Sequence, residues 1–196
     1  RGESGLKHSV NYWKTKATVV TAGSYGSKAE RDEVPVYERN GIKYAFLAYT
    51  TCTNGLSTPA GKSYYLNVYS NALAKKDIDQ AKKNGAEVII VAMHWGVEYT
   101  HKPNNEQKTI AKYLSSQGVN LIIGSHPHVI QPIDMIDDTL ITNSSYNMSN
   151  ILSENYDFLV NFSIAFILNH IENYQDNIIT MNNYNYKDHY GNTYST

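Results

Sequence analysis

Two short segments carry the residue types that could do chemistry. Met93-His94-Trp95-Gly96-Val97-Glu98-Tyr99 follows the apolar run 88–93, and Gly124-Ser125-His126-Pro127-His128 follows the apolar run 119–123. Imidazole is a neutral nitrogen donor for zinc, manganese or iron. A His-x-His pair in an extended segment sends both rings to one side, because side chains alternate with period two. Pro127 fixes one φ between them. Each piece alone has a plainer reading: a histidine at a strand end is commonly a hydrogen-bonded core or surface residue, and histidines beside proline are common in turns. Their joint placement raises a metal or phosphate site to equal standing with those plainer readings. Ligands of open α/β sheets bind outside the carboxyl ends of the strands, so two adjacent parallel strands would bring His94, His126 and His128 to one edge.

The neighbours are less decisive. Glu98 reads as a ligand, an orienting residue or a solvated loop acid. Trp95 reads as the floor of a pocket or a core aromatic. Asp134, Asp137 and Asp138 read as turn acids, although a two-metal hydrolase needs carboxylates to bridge and charge-balance its ions. His8, His101, His170 and His189 have no supporting context and read as surface residues. Cys52 has no histidine near it in sequence and reads as a small buried residue rather than a nucleophile. Gly-rich phosphate loops, a serine nucleophile elbow and a dinucleotide fingerprint are absent.

The elements that must position these residues follow from periodicity. Residues 5–14 predict a helix with Leu6, Val10 and Trp13 on one face, and 17–21 a short strand. Residues 34–39 and 42–50 flank Asn40-Gly41, which favours a type I′ hairpin turn. The second of these strands is apolar on both faces, as a central strand would be. Residues 71–83 predict a helix burying Ala74, Ile78 and Ala81, closed by Asn84-Gly85. A doubly buried strand over 88–93 follows, then a helix over 104–117 burying Ile110, Ala111 and Leu114, then a buried strand over 119–123. This helix–strand–helix–strand unit implies parallel strands joined by a crossover. Residues 158–168 alternate strictly and predict a long strand.

The chain has 196 residues, enough for one domain or slightly more. Its 17 Lys+Arg against 18 Asp+Glu give no basic excess for nucleic acid or an acidic membrane. No apolar run reaches the ~20 residues of a membrane span, and the polar opening is not a signal peptide. One cysteine excludes an internal disulfide and a multi-cysteine zinc site. Near residue 143 the composition changes: 12 Asn and 7 Tyr in the last 54 residues predict a loop-rich end with a few strands. An opening Arg in place of Met suggests a piece of a longer protein.

The run HWGVEYTHKPNNEQ (94–107), the helix after it and GVNLIIGSHPHVIQPI (118–133) together resemble the CapA-type proteins of bacterial capsule and poly-γ-glutamate synthesis. That family is similar in fold to the calcineurin-like metallophosphoesterases. Gly2-Glu3-Ser4-Gly5-Leu6 resembles the start of the helix after the family's Asn-Asn-His…Asp signature, and 40–50 its next hairpin and strand. The resemblance covers residues 1–150. It implies an α/β (α+β) fold: a calcineurin-like metallophosphatase sandwich, its β-sheets flanked by helices, incomplete at the N-terminus. Residues 151–196 would add C-terminal strands of the same domain and an Asn/Tyr-rich tail.

Residue by residue, the resemblance carries a metal-ligand role onto His94, His126 and His128. It makes Glu98, Gln107 and Asn147 candidates for orienting or contacting substrate. The family's Ser-Leu-Gly-Asn reads Ser144-Ser145-Tyr146-Asn147 here, with Tyr in place of Gly. The implied cofactor is a divalent transition metal (Mn, Zn or Fe), dinuclear in the full-length protein. The family's Gly-Asp, Asn-Leu-Glu and Asn-Asn-His…Asp motifs would precede Arg1, so this chain holds the histidine half. The implied partners are an anionic capsule polymer or phosphoester substrate and other membrane subunits of a capsule synthase, with no nucleic acid. The implied location is the extracellular face of the cell membrane, anchored by a segment outside this chain. Two functions follow: a metal-dependent hydrolase, or a non-catalytic scaffold or polymer-binding component. A pure metal- or sugar-binding module is a third.

Overall fold

The computed structural model describes residues 2–53, 55–144, 185–187 and 193–195. The chain divides into two compact units, Arg1–Met148 and Ser149–Thr196.

The first unit opens with helix α1 (Gly2–Lys14). Leu6 and Val10 are half-buried and Trp13 is exposed, so the expected apolar face is only partly covered. The strand expected over 17–21 does not form. The amides of Thr15, Lys16 and Val19 donate to Tyr12, Trp13 and Lys16 carbonyls, which turns the chain off the helix end. Val19 is exposed, so this run has no buried face to hold it in a sheet. A short helix α2 (Lys28–Asp32) follows, capped by the Ser27 hydroxyl.

Strands β1 (Tyr37–Arg39) and β2 (Ile42–Thr50) then form the expected hairpin. Asn40 and Gly41 have φ of +53° and +81°, the left-handed pair that a type I′ turn requires. Helix α3 (Asn71–Lys83) starts at Ser70, whose hydroxyl accepts the Leu73 amide. Strand β3 (Val88–His94), helix α4 (Asn105–Ser116) and strand β4 (Leu121–Ser125) follow as expected within a residue or two. Strands β5 (Ile133–Ile136) and β6 (Thr139–Thr142) make a hairpin that periodicity did not foresee.

The sheet order is β1-β2-β3-β4-β6-β5. β2, β3, β4 and β6 run parallel, and β1 and β5 are antiparallel edges. The register places Leu47, Val91, Ile122 and Ile141 side by side across the four parallel strands. All four are buried, in one core with Ala74, Ile78 and Ala81 of α3 and Ile110, Ala111 and Leu114 of α4. Each buried Val, Leu or Ile side chain among them contributes about 1.5–3 kcal/mol by leaving water. The opposite face does not match the expectation of doubly buried strands: Tyr44, Phe46, Ala48, Ile90, Ala92 and Ile123 are half-buried.

One polar cluster interrupts the core. Asp77 sits on the buried face of α3 and takes both guanidinium nitrogens of Arg31, at 3.1 and 2.8 Å. The Tyr49 hydroxyl donates to the same carboxylate at 2.8 Å. Burial, then the Asp77 charge, push the Tyr49 hydroxyl pKa far above its ordinary value, so it stays a donor.

The described part of the second unit is an antiparallel pair, β7 (Asn185–Lys187) and β8 (Thr193–Ser195). The strand expected over 158–168 and Asn147 lie outside the described residues. Among the described residues, no helix is long and apolar enough to cross a membrane.

Candidate metal centre

The register of the parallel strands builds the site. Thr50 pairs with His94, and His94 with Ser125, so β2, β3 and β4 end level with one another. Beyond that edge the Trp95 amide donates to the Ser125 carbonyl at 3.2 Å, and the Thr51 amide to the His94 carbonyl at 2.9 Å. The ring centroids of His94 and His126 lie 4.3 Å apart, and those of His126 and His128 5.9 Å apart. The three histidines named from sequence therefore meet at one edge.

The local conformation differs from the expected one. The His-Pro-His segment is a bend rather than an extended strand. His126 and His128 have φ of +99° and +58°, in the left-handed region that disfavours β-carbons. The rings come together through two strained residues, not through period-two alternation.

His94 is held as a neutral imidazole. Its Nδ1 lies 3.0 Å from Thr50 Oγ1. That hydroxyl donates its one proton to the Cys52 carbonyl, so it can only accept from the ring. Nδ1 then carries the hydrogen and Nε2 keeps its lone pair. Burial first, then the His126 and His128 imidazoles, lower the His94 pKa and favour the uncharged form. Thr50 was missed from sequence; its place at the end of the neighbouring strand was the available signal.

Glu98 joins the histidines. Its carboxylate lies 3.7 Å from His128 Nε2, and ligand atoms of Glu98, His126 and His128 all fall within 4.8 Å of one another. Two imidazoles and a carboxylate at this spacing fit a divalent transition metal by donor type. Tyr99 stacks on His128 with ring centroids 5.8 Å apart, and its amide donates to the Pro127 carbonyl at 2.7 Å.

Gln107 stands behind the edge. It is fully buried, which does not match the expectation of a substrate contact. Its Oε1 accepts from the Asn104 amide at 3.0 Å and its Nε2 donates to Gln131 Oε1 at 2.7 Å. Gly96, with φ +89°, passes over it so closely that a β-carbon there would come within 2.7 Å of Oε1. Gln131 Nε2 continues to the Thr100 carbonyl at 2.7 Å. Trp95, fully buried, donates from Nε1 to the Asn143 carbonyl at 2.9 Å. Asn143 Nδ2 donates to the Pro132 carbonyl and to Asp134 Oδ2. These bonds tie the loops after β3, β4 and β6 to the start of α4. The roles of Gln131 and Asn143 were not read from sequence, because an amide's partner across a fold leaves no local pattern.

A cleft of about 550 Å³ adjoins His94, between the start of α1 and the end of β2; Glu3, Thr50, Cys52, Tyr65 and Asn67 line it. Asn67 is buried, and its Oδ1 has no hydrogen-bond partner among the described residues.

Similarity to known proteins agrees with this arrangement. The chain is 27% identical over 147 residues to the PGA biosynthesis protein CapA of Bacillus subtilis (strain 168), covering 71% of this chain and 37% of that protein. It is 29% identical over 146 residues to the capsule biosynthesis protein CapA of Bacillus anthracis, covering 71% and 34%. The chain thus spans about a third of the length of these relatives. Residues 1–155 match the family described as bacterial capsule synthesis protein PGA_cap, which has a metallophosphoesterase-like fold. With its sheet, its helices and its histidine edge inside that match, the chain belongs to the PGA_cap family of bacterial capsule synthesis proteins.

Proposed function

We propose that this chain forms the histidine-bearing part of a metal-dependent hydrolase. It acts at the cell surface on a phosphoester or on a bond of an anionic capsule polymer, alongside membrane subunits of a capsule synthase. The observation that carries this reading is the convergence of His94, His126 and His128 where the parallel strands end. A divalent ion (Mn, Zn or Fe) held there would polarise a phosphoryl or carbonyl oxygen and acidify a water. The chain's own residues do the rest. Thr50 fixes the tautomer of His94. Gln107, Gln131 and Asn143 lock the loops that carry the imidazoles, and the cleft beside His94 gives a substrate room.

Metal content tests the reading. The chain is purified without chelators, alone and as His126→Ala, and its bound transition metal is measured. Stoichiometric metal in the first and none in the second, with unchanged circular dichroism, is the expected result. The loaded protein is then assayed on a chromogenic phosphodiester and on capsule polymer. Absence of metal from both proteins sinks the hydrolase reading for this chain and favours a non-catalytic, polymer-binding role.

A further inference from the structure

We propose that Glu98 is itself a metal ligand, completing with His126 and His128 a two-histidine, one-carboxylate set within this chain. This rests on the metal reading above and gives it a defined donor set.

The backbone is arranged to bring the acid back over the histidines. Gly96 and Tyr99 flank the Val97-Glu98 dipeptide, and both have positive φ, +89° and +58°. For Tyr99 that conformation is strained, and the side chain does not recover the cost by burial, being 72% exposed. The Tyr99 amide is bonded to the Pro127 carbonyl, at the centre of the His-Pro-His bend. The loop after β3 is therefore pinned to the bend after β4, with Glu98 one residue from the pin. His126 and His128 are strained on the other side of the same contact. Four positive-φ residues, Gly96, Tyr99, His126 and His128, thus surround one carboxylate–imidazole cluster, and three of them carry β-carbons.

Distances and charge agree. Donors about 2.0–2.1 Å from a tetrahedral zinc lie roughly 3.4 Å apart. Here the donor atoms are within 4.8 Å of one another, and Glu98 and His128 are 3.7 Å apart, close to that spacing. Three imidazoles would leave a divalent ion with its full charge. One carboxylate reduces the net charge of the centre to +1, which still attracts an anionic substrate and adds the oxygen donor that manganese and iron favour.

The test titrates the metal-depleted 196-residue chain with Co(II), read by its visible d–d bands, and with Zn(II) in competition with a chelating dye. Glu98→Gln and His126→Ala are compared, each first shown to match the parent in thermal midpoint without metal. Glu98→Gln is expected to weaken Co(II) and Zn(II) binding at least tenfold and to alter the Co(II) bands. Unchanged affinity and spectrum in Glu98→Gln, with loss in His126→Ala, would overturn the role of Glu98 and leave the histidine site standing. A parent chain that binds neither ion overturns both.

Discussion

Gly124 gives the sharpest test of how the edge is held together. Its φ is not in the left-handed region, so its backbone suits alanine. At such a position Gly→Ala normally stabilises by ~0.4–1 kcal/mol, by reducing the freedom of the unfolded chain. Here an added β-carbon would lie 2.1 Å from the Asn143 carbonyl oxygen and 2.6 Å from Trp95 Nε1. The obstacle is backbone, so no rotamer change relieves it. The end of β6 must move more than an ångström from β4, and the Trp95 Nε1–Asn143 bond cannot survive that shift. A buried donor left without a partner costs about 1–3 kcal/mol, and overpacking adds about 1–3 kcal/mol. Against the small gain, Gly124→Ala should be destabilised by about 2–5 kcal/mol. The assay is urea unfolding followed by far-ultraviolet circular dichroism, with Gly55→Leu avoided as a control because its φ is +78°, and Ser116→Ala, exposed on α4, used instead. A midpoint for Gly124→Ala equal to or above that of the parent would refute the steric reasoning and, with it, the close approach of β6 to the histidine strand.

Two other outcomes follow from the fold. Asp77→Ala leaves the Arg31 guanidinium buried without its counter-charge, so about 3–5 kcal/mol of stability should be lost; replacing both residues together (Asp77→Leu with Arg31→Met) should recover most of it in the same urea experiment, and a loss below about 1 kcal/mol for the single change contradicts the buried pair. Glu3 is held at a pKa of about 2 by hydrogen bonds from Lys62, Lys7 and Tyr65. Its folded pKa is below its unfolded one, so its contribution is present above the ordinary glutamate range and is lost as pH falls through about 2. Amide protection in α1, measured relative to the intrinsic exchange rate at each pH, should therefore fall in acid in the parent and change less in Glu3→Gln; equal responses exclude this anchor.

Much of the edge was legible from the chain. Apolar runs bounded by Gly and Asn located α3, β3, α4 and β4, and the rule that sites lie at the carboxyl ends of parallel strands brought His94, His126 and His128 together. What local pattern could not show was long-range. The β5–β6 hairpin is only four residues a side, too short for periodicity to register. Asp77 occupies a core position because its charge is answered by Arg31, 46 residues away. The His-Pro-His bend was misread because alternation assumes extended backbone, and positive φ at a histidine has no signature in sequence. Glu98 could be named but not placed, since its direction depends on the turn at Tyr99.

Trp95 has a use beyond holding the loop. The chain has two tryptophans; Trp95 is fully buried beside His94 and Trp13 is 43% exposed. A Trp13→Phe chain would keep a single indole, dry, hydrogen-bonded and one residue from a candidate ligand. Its emission would be blue-shifted and sharply dependent on the Asn143 contact, and an absorbing ion at the histidine edge would quench it. The same side chain that clamps the site is thus a built-in optical gauge of whether the site is intact and filled.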